Sequence, residues 1–124
     1  MKNVLTDESL LAMAQVKSLK EIHLDRAFVG IGLNEVVQNM NNLERLTLSK
    51  TRNNSKKQMD SVLDKLGNLP RLQKVTLIDC PAVTDDGIMS MLYKTTSLIH
   101  LKVRLCHAVS AKTLQDIKKI VVVG

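Results

Sequence analysis

Two cysteines and two histidines lie near one another in the second half of the chain, and side chains of these types can do chemistry. Cys80 and Cys106 could bind a metal together with His100 and His107, or one cysteine could act as a nucleophile. Strong zinc motifs use C-x-x-C or H-x-x-x-H spacing, and neither pair is present. Cys106 and His107 are adjacent at the predicted end of a strand, where neighbouring side chains diverge. We therefore predict no catalytic residue, no metal site and no cofactor.

The densest charge on the chain is a basic run made of Lys50, Arg52, Lys56 and Lys57. This run is either a solvated entry to a helix or a contact for phosphate or an acidic peptide. Upstream, Gly30-Ile31-Gly32 lacks the Lys-Ser/Thr ending of a phosphate-binding P-loop. We expect these glycines to form a tight turn into a helix at Leu33.

The elements that must position these residues repeat along the chain. Four copies of Leu-x-x-Leu-x-Leu, some with Ile or Val at the last two apolar positions, start 24, 29 and 26 residues apart, at Leu19, Leu43, Leu72 and Leu98. Each copy alternates apolar and polar residues, as a half-buried strand does. Three residues past each copy comes a slot that should turn the chain, held by Ala27, Thr51, Cys80 and Cys106. A period of this size with this spacing is the mark of a leucine-rich repeat, a solenoid in which each repeat packs on its neighbours.

A helix is predicted between each pair of strands. The clearest runs from Val83 to Leu92, where Thr84 is a good N-cap and the acidic side chains of Asp85 and Asp86 suit the helix dipole. Apolar residues at helical spacing predict one buried stripe per helix: Leu10, Met13 and Ala14; Leu33, Val36 and Val37; Met59, Val62, Leu63 and Leu66; Ile88, Met91 and Leu92; Leu114 and Ile117. Near the end, Ile117-x-x-Ile120-x-Val122 matches a fifth strand, but its phase favours a helix followed by a short strand-like tail. We therefore expect four to five repeats.

The composition limits the class of protein. The chain of 124 residues is one domain at most, residues 1–124, with a net charge of +6 and 2% aromatic residues. Single-strand nucleic-acid binders need aromatic stacking platforms, so nucleic acid is a poor candidate for the partner. No apolar stretch approaches a membrane span, and the start has no signal-peptide core. We expect an intracellular protein, cytoplasmic or nuclear.

The expected intracellular compartment also determines whether Cys80 and Cys106 form a disulfide. Cys80 and Cys106 hold equivalent slots in adjacent repeats, which places them about 5 Å apart at strand spacing. A disulfide is sterically conceivable at that distance. An intracellular setting keeps thiols reduced, so we expect two buried free thiols.

The segment Cys80-Pro81-Ala82-Val83-Thr84-Asp85-Asp86-Gly87-Ile88, followed by Leu98-x-x-Leu101-x-Val103-x-x-Cys106, resembles the cysteine-containing class of leucine-rich repeat. This class, with its "Cys…Thr-Asp-x-Gly" helix entry, is typical of F-box leucine-rich-repeat proteins, the substrate receptors of ubiquitin ligases. No F-box is recognisable in this chain. The resemblance implies an α/β solenoid with a parallel sheet on the concave side and helices on the convex side.

In that architecture the polar strand residues face the concave surface, and we expect a protein partner to bind there. The predicted binding residues are Glu21, His23, Asp25, Arg45, Thr47, Lys50, Lys74, Thr76, His100, Lys102 and Arg104. The acids lie towards the first strand and the bases towards the last, which favours a partner with an acidic surface. An enzyme is not expected, because a shallow curved sheet seldom provides a pocket with perturbed titratable groups.

Two kinds of protein-binding function remain open at this point. One is substrate recognition for a ubiquitin ligase. The alternative is a small assembly or scaffold subunit resembling mitochondrial ATP synthase coupling factor B, with a mitochondrial location. Solenoids need polar caps, and neither end of this sequence offers one. We therefore expect the chain to self-associate, to hide its ends in a partner or to be a piece of a longer solenoid.

Overall fold

The computed structural model describes residues 5–53, 55–118 and 122–123. Helices alternate with parallel strands along the chain, which confirms the predicted α/β class. The helices are α1 (Asp7–Met13), α2 (Ile31–Asn39), α3 (Lys56–Leu66), α4 (Asp85–Lys94) and α5 (Ala111–Ile117). The strands are β1 (Glu21–Asp25), β2 (Arg45–Ser49), β3 (Lys74–Ile78), β4 (His100–Arg104) and the short β5 (Val122–Val123). Each strand pairs in parallel with the next one along the chain, so the sheet order is β1-β2-β3-β4-β5.

The strands form where the apolar and polar residues alternate, and the alternation sorts the side chains between two faces. The register aligns equivalent residues, so Ile22 lies beside Leu46, which lies beside Val75, which lies beside Leu101. All four are buried on the face that packs against the helices. The other face carries the polar residues. One predicted core position, Val103, is only partly buried.

The helices bury the predicted apolar stripes in the same core. Most stripe residues are buried, whereas Met13 and Leu114 are partly buried against the cluster. The predicted cap at Thr84 is confirmed, because its hydroxyl accepts a hydrogen bond from the N–H of Gly87. Ser55, which the sequence reasoning missed, caps α3 in the same way through the N–H of Gln58.

Polar contacts join each helix to the next. These contacts span neighbouring repeats, and they repeat one after another along the layer of helices. They run from the N–H of Gly32 to Asp7, from Ser61 to Asn34, from Thr84 to Asp60, from Ser90 to Asp64 and from the N–H of Ser110 to Asp85, at 2.7–3.2 Å. Each one satisfies a helix-start or side-chain polar group at the seam between two repeats.

The predicted turn role of Gly30 and Gly32 is wrong. Gly30 is the extended residue before α2, and Gly32 lies inside the first turn of that helix. No glycine has a positive φ among the residues that the structure describes. A Cβ on Gly32 would lie 2.5 Å from the carbonyl oxygen of Asp7 and 2.7 Å from its Cα. The glycine is therefore required for the close approach of α1 to α2.

Each of the first four strands is followed directly by a residue with left-handed backbone geometry. These residues are Arg26, Lys50, Asp79 and Leu105, with φ of 60°, 51°, 52° and 55°. The first three are stacked by hydrogen bonds: the N–H of Arg26 donates to Ser49, that of Lys50 to Ile78, and that of Asp79 to Arg104, each at 2.9 Å. The next residue in each repeat points inward and is buried, as predicted: Ala27, Thr51, Cys80 and Cys106.

Candidate functional site

The face of the sheet opposite the helices carries most of the predicted binding residues. We call it the open sheet face and define it by three rows of side chains that the strand register aligns across β1 to β4. The first row is Glu21, Arg45, Lys74 and His100; the second is His23, Thr47, Thr76 and Lys102; the third is Asp25, Ser49, Ile78 and Arg104. Of the predicted set only Lys50 lies off these rows, in the left-handed turn after β2.

The members of this face differ in how much surface they offer. Lys74 and Arg104 are exposed, and Lys102 is half-buried. Thr76 is only 7% exposed, because it lies in the middle row between flanking strands, and it can contribute little to a contact. His100 is also half-buried, and its Nδ1 is buried without a hydrogen-bond partner among the described residues. The face therefore works mainly through its long basic side chains.

At the β1 side of the face, acids and bases neutralise one another. Arg45 contacts Glu21 at 3.3 Å, and Arg26 contacts Asp25 at 2.8 Å. The hydroxyl of Ser49 donates to Asp25, and this bond, with the charges of Arg26 and Lys50, holds the pKa of that carboxyl below its usual value. Exposed pairs of this kind contribute little to stability. Their main effect is to remove Arg45 from the predicted basic patch.

The β3–β4 side keeps its positive charge. Lys74, Lys102 and Arg104 form no ion pair with any residue that the structure describes. Lys74 lies on β3, and Lys102 and Arg104 lie on the adjacent strand β4, about 4.8 Å away. Lys102 and Arg104 are alternate residues, about 6.7 Å apart along β4, and Lys74 lies diagonally opposite Lys102. Leu105, exposed to 59%, follows them at the end of β4. We call Lys74, Lys102 and Arg104 the sheet lysine–arginine patch.

A second basic feature lies at the carboxyl ends of β1 to β3. It is an open, mostly polar depression of about 480 Å³, lined by Arg26, Lys50, Thr51, Arg52, Asn53, Asp79 and Pro81. We call it the turn depression. The basic run in the sequence pointed to it through Lys50 and Arg52, but not to Arg26, which comes from the previous repeat. Lys57, from the same run, borders a different depression among the acidic residues of α3 and α4.

Both cysteines are buried and neither forms a disulfide; Cys80 lies between Asp79 and Pro81, which line the depression. The thiol of Cys80 donates to carbonyl oxygens of Ile78 and Leu48 at 3.4 and 3.5 Å, and that of Cys106 to Arg104 and Leu77 at 3.4 and 3.7 Å. Contact with Cys106, followed by burial, raises the pKa of Cys80. The contact with Cys80 lowers the pKa of Cys106 to about 7, whereas burial and the charge of Asp79 act to raise it. Cys80 is therefore a protonated packing residue at neutral pH.

Thr51 holds the slot that cysteine fills in the next two repeats, and its hydroxyl fits that slot less well. The hydroxyl oxygen is buried and has no hydrogen-bond partner within the described part of the chain. A buried hydroxyl without a partner costs about 1–3 kcal/mol. A thiol is a weaker donor, so the slot tolerates Cys80 more easily than Thr51.

Within residues 5–53, 55–118 and 122–123, no three side chains of His, Cys, Asp or Glu converge in a way that could hold a metal ion. None of the helices in that part of the chain combines the length and apolar character that a bilayer crossing requires.

A scan against protein-family models and a search of curated proteins found no match for this chain.

Proposed function

We propose that this chain is a leucine-rich-repeat domain of the cysteine-containing class and that it binds a protein partner through the open sheet face. The observation that carries the proposal is the sheet itself. Its polar side chains are aligned in three rows across β1 to β4, and no helix covers them within the described residues. A repeated, in-register face of this kind offers a long surface to a partner.

The charge on that face defines the kind of partner. The acids near β1 are already paired, so the free charge is the sheet lysine–arginine patch. An acidic segment of the partner would contact Lys74, Lys102 and Arg104 together. Charges of this kind on an exposed rim contribute mainly to the rate of association and to orientation. Substrate recognition, as in the F-box leucine-rich-repeat proteins that the repeat resembles, is the specific role we propose.

The test compares two double variants that change the net charge equally. Lys74→Glu with Lys102→Glu reverses charge on the open sheet face, whereas Lys112→Glu with Lys118→Glu reverses it on exposed positions in and just after α5. Tagged wild-type and variant proteins are expressed in cells, and the proteins bound to each are quantified by mass spectrometry. Circular dichroism and thermal melts establish that both variants fold.

We expect a set of proteins that the wild type and the α5 variant retain and the sheet variant loses. For a partner from that set, the association rate measured with purified proteins should fall with added salt, because salt screens exposed charges. If the α5 variant loses the partners and the sheet variant keeps them, the helical side is the working surface and the proposal is wrong.

A further inference from the structure

We propose that the turn depression binds a phosphate monoester carried by the protein partner, a phosphorylated side chain that docks beside the open sheet face. This inference rests on the proposed protein-binding function. It concerns a separate place in the fold, and its chemistry comes from Arg26, Lys50 and Arg52.

The backbone brings these three basic residues together from two adjacent repeats. The N–H of Arg26 donates to Ser49, the residue directly before Lys50, so the two left-handed turns lie side by side. Beyond the turns, the N–H of Arg52 donates to Ala27 at 2.8 Å, and its carbonyl accepts from Val29 at 2.9 Å. Adjacent strands are about 4.8 Å apart. The three side chains therefore start within one or two strand spacings of each other, a distance that long basic side chains span easily.

The partners of these side chains leave a net positive charge for a ligand. Arg26 is largely buried, with a side-chain exposure of 14%, and its guanidinium is fixed by Asp25. Lys50 and Arg52 are exposed and form no ion pair among the described residues. Arg26 thus offers a ligand the N–H groups that do not contact Asp25, and Lys50 and Arg52 offer unpaired positive charge.

The donors around the depression favour a phosphate monoester over a carboxylate. A phosphate monoester has three strong acceptor oxygens, enough to accept from Arg26, Lys50 and Arg52 together. A carboxylate has only two acceptor oxygens and would engage fewer of these donors. Guanidinium groups also bind phosphate oxygens through two parallel N–H donors. Asp79 also lines the depression, and its carboxylate reduces the net positive charge there, so the depression holds one anionic group only.

The shape of the depression points to a group on a chain. It is open to solvent and mostly polar, so it cannot enclose a small molecule. It adjoins the third row of the open sheet face, because Lys50 directly follows Ser49. A partner lying across the sheet could therefore place a phosphorylated side chain in the depression while its acidic residues contact the sheet lysine–arginine patch.

The experiment uses blocked O-phosphoserine and inorganic phosphate as probes, with acetate at equal ionic strength as the carboxylate control. Binding to the full chain is followed by NMR of backbone amides. The variant is Lys50→Asn with Arg52→Gln; asparagine suits the left-handed backbone at position 50. The matched control is Lys112→Gln with Lys118→Gln, which removes the same charge from exposed positions in and just after α5.

We expect saturable shifts at residues 26–27 and 50–53 with both phosphate probes, and none with acetate. The depression variant should bind about twofold to thirtyfold more weakly, given about 0.2–1 kcal/mol for each of the two charge pairs removed, and the control should bind as the wild type does. Equal weakening in both variants, or shifts that follow ionic strength alone, would overturn the proposal.

Two further outcomes separate this inference from the proposed function. If the phosphate probes fail to bind but the Lys74→Glu, Lys102→Glu variant still loses its partners, only the phosphate site is wrong. If the probes bind but that variant keeps all its partners, the phosphate site stands and the open sheet face is not the working surface.

Discussion

Replacing Gly32 with alanine tests how closely the first two repeats pack. A Cβ at this position would lie 2.5 and 2.7 Å from backbone atoms of Asp7 and 2.9 Å from Cβ of Leu10. Backbone atoms cannot rotate out of the way, so α1 must move. Gly30→Ala is the matched control. There the nearest atoms, at 3.0 Å, belong to the side chains of Asp7 and Phe28, which can adjust.

Three opposing contributions set the magnitude. Alanine in place of glycine inside a helix stabilises by about 1 kcal/mol. Overpacking a tight contact costs about 1–3 kcal/mol. Moving α1 also strains the 3.0 Å hydrogen bond from the N–H of Gly32 to Asp7, a bond worth about 1 kcal/mol. The free energy of unfolding should therefore fall by about 1–3 kcal/mol for Gly32→Ala. For Gly30→Ala it should fall by about 0.5–1 kcal/mol, because alanine is a poorer N-cap than glycine by roughly that amount.

Urea denaturation followed by circular dichroism measures both values, and hydrogen exchange at the amide of Leu10 reports whether α1 loosens. Gly32→Ala as stable as the wild type, or more stable, would refute the close approach. The helix-propensity gain would then be the only effect left, and Gly32 would not be a packing residue.

Two other changes test single groups. Thr51→Val removes the buried hydroxyl and keeps the side-chain shape, so urea denaturation should show a gain of about 1 kcal/mol; a loss would mean that the hydroxyl makes a hydrogen bond, for example with Cys80. Hydrogen bonds from Lys94 and Ser90 lower the pKa of Asp64 in the folded protein below 3.8, its value in the unfolded chain. The ionised carboxylate therefore stabilises the fold fully above pH 3.8, and this stabilisation is lost as the pH falls through the lower pKa of the folded state. Asp64→Asn should therefore reduce the difference in the free energy of unfolding between pH 7 and pH 3, measured by urea denaturation, by less than about 1 kcal/mol for this partly exposed pair; an unchanged difference would show that the contact contributes nothing.

The features that could be predicted from the sequence are those that depend on one repeat at a time. Alternation in the strands and the apolar helix stripes follow from which side of an element is buried, and this leaves a period in the sequence. Thr84 was predicted as a cap because its signal lies within four residues. Ser55 was missed because the third repeat replaces the Thr-Asp step with a longer basic loop.

The features that could not be predicted depend on how one repeat is placed against the next. The repeat pattern places Glu21 and Arg45 at equivalent strand positions, but it does not show whether their side chains pair with each other or stay available to a partner. The close approach at Gly32 has the same origin, since it depends on where α1 crosses α2. The turn depression combines Arg26 with Lys50 and Arg52 from the following repeat, and no local pattern joins them.

The residues with left-handed backbone geometry affect both the stability of the fold and the proposed phosphate site. A residue with a side chain costs about 1–2 kcal/mol in this backbone region, and glycine would avoid the cost. Arg26, Lys50 and Asp79 all adopt it, and all three line the turn depression. Their N–H groups stack onto the neighbouring strands at 2.9 Å, which offsets part of the strain. Glycine would relieve the rest but would remove the side chains. Two of the three basic side chains of the depression, those of Arg26 and Lys50, thus come from strained positions, as expected where backbone strain accompanies a binding site.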